Sequence, residues 1–214
     1  MHIAYRLGLA SLFAAGAVLP AAAQSATGYQ AGDILVHASI LGVFPENFSS
    51  GVTIPGYHVH VTDSASPELD GSYFLSPEFS LELIAATTRH DVSVVDGGSV
   101  VKAGSTWVLP PTFTLQYHLP QMGPVRPYAG VGVTVAFFYD PRRAADVTKE
   151  GGFRTGVGPA LDVGFDVPVT GNWVANFDVK QIFLVTGTHV DNGAVGAIDE
   201  LSPTVVGVGV GYLF

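Results

Sequence analysis

The chain has no cysteine among its 214 residues. Disulfides are thereby excluded, and with them any thiolate metal or redox site. Charge is also scarce: Asp, Glu, Lys and Arg make up 13% of the chain, about half the usual share of a soluble domain, so much of its surface faces something other than water. Lysine and arginine number nine against eighteen acids, a net charge of −9. Nucleic acid and anionic headgroups both call for clustered cations, so neither is an expected partner. After residue 24 no stretch approaches the ~18 apolar residues that a transmembrane helix needs. The 26 glycines and 14 prolines argue against long helices of any kind.

What is present starts with the first segment. Arg6 precedes an apolar run from Leu7 to Leu19, followed by Pro20 and Ala21-Ala22-Ala23. This pattern is that of a signal peptide over residues 1–23, cut after Ala23, with residues 24–214 as one mature domain.

The mature chain alternates with period two. From Thr155 to Val167 the odd positions read Thr, Val, Pro, Leu, Val, Phe, Val, while the even positions from Arg154 to Asp166 read Arg, Gly, Gly, Ala, Asp, Gly, Asp. One face suits oil and the other water, which is a strand pattern. Such segments lie near 32–44, 66–76, 78–88, 105–119, 125–139, 153–167, 172–186 and 203–214. The eight predict an all-β fold, an eight-stranded antiparallel transmembrane β-barrel. A strand of ~10 residues at ~3.3 Å each, tilted ~40°, rises about 25 Å, the height of the apolar band of such barrels.

Connection lengths agree with that reading. Ser76-Pro77, 120–124 and 168–171 are tight, whereas 45–65, 89–104, 140–152 and 187–202 are long. Outer-membrane barrels have short periplasmic turns and longer outer loops, which places both mature termini in the periplasm. Trp107, Tyr117, Tyr128, Tyr139, Trp173, Tyr212 and Phe214 fall near the strand ends, where membrane interfaces enrich amphipathic rings. The final Phe214 resembles the signal by which the outer-membrane assembly machinery recognises its clients. A soluble carrier would instead turn its apolar rows inward.

Several ordered segments then carry a family likeness over nearly the whole mature chain. They are Pro67-Glu68-Leu69-Asp70, the run Leu81 to Thr88 with His90, the run Leu109 to Tyr117, Arg126-Pro127-Tyr128-Ala129-Gly130-Val131-Gly132, Asp178-Val179-Lys180 and Val206 to Tyr212. Through these the chain resembles the outer membrane protein W family, which includes the alkane-uptake proteins of hydrocarbon-degrading bacteria. The resemblance implies an outer-membrane barrel around a narrow hydrophobic channel, with membrane lipid outside and small apolar solutes as cargo. It also implies sideways escape of the solute through the wall, and a large aromatic in the pocket at Phe183.

Strand direction orders the inward residues by height. Leu41, Val43, Ile84, Ala86, Val108, Ala136, Phe138, Ile182 and Leu184 come out high and form an apolar pocket; Phe183 joins them only through the resemblance, since its parity faces lipid. Glu82, Asp162, Asp178 and Lys180 come out low and form a polar floor, with Asp70 a further partner for the lysine. Inward glycines at 130, 132, 156, 158, 164, 207, 209 and 211 leave lumen space.

No enzyme, cofactor or metal is expected. His58 and His60 with Asp63 have a metal-like spacing but sit in a long loop. His90-Asp91-Val92-Ser93 holds the residue types of a hydrolase triad, yet a triad is built in space and not by adjacency. The reading is therefore a hydrophobic uptake channel. Its alternative is a structural or adhesive barrel whose outer loops bind a partner.

Overall fold

The computed structural model describes residues 28–50, 57–96, 99–143, 151–190 and 195–214, so the expected leader at 1–23 lies outside the described residues. The strands in chain order are β1 (Ile34–Phe44), β2 (Asn47–Ser50), β3 (Tyr57–Val61), β4 (Ser64–Phe74), β5 (Phe79–Ala86), β6 (Thr88–Asp96), β7 (Ser99–Leu109) and β8 (Thr112–His118). They continue with β9 (Arg126–Arg143), β10 (Gly151–Phe153), β11 (Gly156–Thr170), β12 (Trp173–Ile182), β13 (Leu184–Val190), β14 (Val195–Leu201) and β15 (Thr204–Leu213).

Eight of them form a ring of antiparallel neighbours in the order β1, β4, β5, β8, β9, β11, β12, β15. Pairing of β15 with β1, from Leu35↔Leu213 to Phe44↔Thr204, closes it. In the ring, exposure alternates residue by residue, as in β5 and β8, but with the usual sense inverted. Ile40 is 72% exposed and Phe113 61%, whereas His37, Glu82, Gln116, Asp162 and Lys180 are buried. An apolar outer surface around a polar interior requires lipid outside.

One end carries the tight turns. Ser76 Oγ accepts from the backbone N–H groups of Glu78 at 3.2 Å and Phe79 at 3.1 Å. Gly171 takes φ +54° between β11 and β12, a conformation glycine adopts freely. The other end corrects an expectation. The stretches read as long loops carry β2, β3, β6, β7, β10, β13 and β14, paired into hairpins that extend the wall past the ring.

Four expected strands are broken where they enter these extensions, 78–88 at Thr87 and 153–167 at residues 154–155 among them. The segment 105–119 splits at Pro110-Pro111 into β7 and β8, because proline has no N–H to give the ladder. The segment 172–186 splits at Phe183, whose N–H turns to the carbonyl of Pro159 at 2.9 Å.

Close strand approach depends on particular glycines. A Cβ at Gly132 would collide with the backbone carbonyl of Phe113, whereas one at Gly71 would meet nothing within 4 Å. Gly132→Ala should therefore lower the unfolding midpoint of the detergent-solubilised barrel by an amount equivalent to about 1–3 kcal/mol, the usual cost of overpacking. Gly71→Ala should leave the midpoint within error of the parent, and equal midpoints for the two variants would contradict this account.

Candidate functional site: the barrel lumen

Two layers fill the lumen, a polar one toward the turn end and an apolar one toward the loop end. The polar layer is built around Lys180, which β12 aims inward two residues after Asp178. Its Nζ donates to Asp178 at 2.9 Å and lies 3.5 Å from Asp162 and 3.7 Å from Glu82. Gln116 Nε2 donates to Asp162 at 2.8 Å. The four residues expected in the floor thus meet in one cluster, since β5, β11 and β12 present them at similar heights.

Below Lys180 lies a second set of polar residues. His37 Nδ1 is 2.8 Å from Asp70, and its Nε2 is 3.3 Å from Asp166 in a contact too poorly aimed for a hydrogen bond. Tyr29 donates to Asp166 at 2.6 Å, and Asn176 Nδ2 donates to Asp166 at 2.9 Å and to Tyr128 Oη at 3.0 Å. Ser80 Oγ and His118 Nε2 are 2.8 Å apart.

An apolar seal finishes the turn end. Tyr29 stacks on Phe74 with ring centroids 4.2 Å apart, Leu35 and Val174 pack with them, and the Arg126 guanidinium sits 4.9 Å over the Tyr29 ring. Sequence reasoning missed this seal. Tyr29 precedes the first strand and belongs to no periodic row, so the only available signal was a large aromatic just before the barrel began. The inward glycines do not leave open space here either. His37 lies against Gly211 and Asp178 against Gly207, so the side chains of the plug fill the room.

The loop half holds a cavity of about 70 Å³, several times the 10–15 Å³ that one water occupies on this measure. Of the expected pocket residues, Val43, Val108, Ala136, Phe138, Ile182 and Leu184 line it. Leu41 and Ala86 are buried in the same apolar cluster without lining the cavity, and Ile84 is buried lower down. Phe183 requires a correction. It is 43% exposed on the outer wall, because the break between β12 and β13 keeps its lipid-facing parity.

The cavity also has lining residues that the sequence did not assign to it: Pro45, Val61, Thr88, His90, Val92, Thr106, Pro110, Thr134, Pro203 and Val205. Val61, Thr88, His90, Val92 and Thr106 come from the hairpin extensions, and of these Val61, His90 and Val92 lie in stretches that the periodicity reads as loops. Their polar groups are bonded within the wall. His90 Nδ1 donates to the carbonyl of Thr62 at 2.7 Å, which leaves Nε2 to accept from Thr88 Oγ1 at 2.9 Å. In this extension beyond the ring, burial lowers the pKa of His90 and keeps the imidazole neutral.

Among the described residues, the run from His90 to Ser93 does not assemble a catalytic site. His90 and Asp91 face opposite sides of β6. His60 is exposed, and the side chain of His58 lies outside the described residues. Among the described residues, no group of three His, Cys, Asp or Glu has the geometry to hold a metal ion.

Comparison with known proteins gives the following. The model of the OmpW family matches residues 30–214. The chain is 38% identical over 222 residues to the uncharacterized outer-membrane protein y4mB of Sinorhizobium fredii, covering 96% of this chain and 93% of that one. It is 30% identical over 196 residues to Outer membrane protein W of Vibrio cholerae serotype O1, covering 87% and 90%. It is 26% identical over 174 residues to the dibenzothiophene metabolism operon protein PahQ of Pseudomonas aeruginosa, covering 78% and 80%. The crystal structure of the outer membrane protein OprG from Pseudomonas aeruginosa superposes with a TM-score of 0.80 at 26% identity, covering 87% of this chain and 98% of that one.

The lysine in the floor sets up a stability test. Lys180→Met would leave Asp162, Asp178 and Glu82 buried together without their cation, which should cost about 3–5 kcal/mol in urea unfolding of the folded barrel. Adding Asp178→Asn should recover part of that loss. A Lys180→Met barrel as stable as the parent would show that the cluster does not depend on the pair.

Proposed function

The chain belongs to the OmpW family of outer-membrane β-barrels, and from that premise we propose that it admits small apolar molecules through the loop-end pocket. The observation that carries the reading is the cavity wall of Val, Ile, Leu, Ala and Phe side chains, with its few polar groups bonded into the wall. Burying hydrocarbon gains about 25 cal/mol per Å², so covering ~200 Å² of a mid-sized alkane gains ~5 kcal/mol before association costs. That is weak, reversible binding, as a conduit needs. The relation to a protein of a dibenzothiophene metabolism operon supports an apolar cargo.

The route onward is sideways. The polar plug and aromatic seal oppose passage of an apolar solute along the axis. Pro110 and Pro203 line the cavity, and Pro159 lies in the adjoining wall beside Phe183. None of the three can donate to the ladder, so the wall lacks hydrogen bonds beside the pocket. In this reading the hairpin end faces outward and the tight turns face the periplasm. A leader at 1–23, cut after Ala23, and use of Phe214 by the assembly machinery belong to the same proposal.

Uptake of a radiolabelled alkane by cells with and without the protein tests the channel. Ile182→Asp and Ala136→Phe, in variants that still insert, should bring uptake down to the level of cells lacking the protein. Equal uptake in all of them would move the reading to the structural or adhesive alternative. Orientation has its own check: protease added to intact cells should cut within 45–65, 89–104, 140–152 or 187–202 and spare 76–78, 120–124 and 168–171. Cleavage confined to the short turns would reverse the topology.

A further inference from the structure

The charges in the lumen do not balance. Among the described residues six carboxylates are buried there, those of Glu68, Asp70, Glu82, Asp162, Asp166 and Asp178. Lys180 serves three of them, Asp162, Asp178 and Glu82. His37 faces Asp70 and Asp166. Arg126 lies at the turn end, against Gln121 and the Tyr29 ring. Glu68 is left over: it is 7% exposed, the charge of Lys180 acts on it only from beyond ion-pair distance, and among the described residues no hydrogen bond or ion pair reaches its carboxylate. An ionisable group buried within the span of a membrane protein without a direct hydrogen-bond or ion-pair contact is costly, and it marks a site by default.

The surroundings of Glu68 make a niche. Its cross-strand neighbours are Ser39 on β1 and Ala86 on β5, and the next inward residue up β4 is Ser66. All three side chains are small, so the carboxylate has room beside it. The hydroxyl of Ser39 is buried and also lacks a hydrogen-bond partner. Ala86 belongs to the apolar cluster that carries the pocket, so the niche lies directly beneath that cluster. Unspent acceptors, Glu68 and Ser39, therefore sit under an apolar wall, within a lumen whose acids outnumber its cations.

We propose that Glu68 and Ser39 form a head-group subsite under the apolar pocket, and that it takes the ammonium of a small primary amine whose hydrocarbon tail lies among Ile182, Leu184 and Val205. This deepens the channel reading and rests on it, since the tail occupies the same pocket. The ammonium supplies the donors and the positive charge that this end of the lumen lacks. A carboxylate head of equal length is repelled by the same acids. An alcohol can donate one hydrogen bond but brings no charge.

The test compares hexylamine, 1-hexanol and hexanoate on the full barrel in nanodiscs of phosphatidylcholine, followed by methyl NMR of Ala86 and Ile182. Each ligand is corrected for its partition into protein-free nanodiscs. Hexylamine should shift both methyls and bind at least about ten-fold more tightly than 1-hexanol, the scale of one charge-assisted hydrogen bond. Hexanoate should bind most weakly. Glu68→Gln should bring the amine to the level of the alcohol and leave the alcohol unchanged. Ser39→Leu, which fills the niche and keeps the carboxylate, should also abolish the preference for the amine. Equal binding of amine and alcohol by the parent, or an amine preference that survives both substitutions, overturns the subsite while the channel stands. If no ligand shifts the Ile182 methyl, the pocket itself falls and takes the subsite with it.

Discussion

Closure of β15 onto β1 is the constraint on which the rest of this structure depends. In hydrocarbon no water is available to satisfy a free strand edge, so a sheet can stay in a membrane only if its last strand pairs with its first. Once the ring is closed, the pleat divides every strand into a lipid row and a lumen row. The lipid row must be apolar. The lumen row is then confined to a space only wide enough for its own side chains or for one small ligand.

That confinement explains the plug. Carboxylates held so close together cannot all remain unpaired, and one lysine placed among three of them offsets the repulsion at a single point. Tyr29 and Phe74 seal the turn end below it, keeping this polar layer away from bulk water on that side. For anything apolar in the loop half, that layer is a floor that does not solvate it. The pocket ends where the charges begin.

Proline sets the character of the loop half. Pro110-Pro111 and Pro203 interrupt the ladder where the ring passes into the hairpins, and Phe183 interrupts it on β12. Hydrogen bonds from Phe183 to Pro159 and from Ile182 to Pro203 hold the wall across these breaks. The extensions β6 and β7 then complete the pocket with Thr88, His90, Val92, Thr106 and Val108. The cavity is thus made partly by strands outside the membrane ring.

The sequence by itself determined the barrel, because period-two alternation has only two faces to assign and a lipid face leaves little choice of residue. Rows such as Leu81, Leu83 and Ala85 against Ser80, Glu82 and Ile84 could be sorted into outside and inside without coordinates. The floor residues Glu82, Asp162, Asp178 and Lys180 were legible for the same reason, as was most of the apolar set above them. Parity gives no information beyond the rows, however. Tyr29 lies before the first row, and the linings Val61, His90 and Val92 lie in stretches that the periodicity reads as loops. The family resemblance puts Phe183 in the pocket against its own parity, and the outward course of the chain at the break keeps it on the wall. Only tertiary structure decided that Lys180 would contact three carboxylates directly and leave Glu68 beyond ion-pair distance. Which charges meet across a barrel depends on the relative stagger of strands far apart in sequence, and no local pattern encodes that stagger.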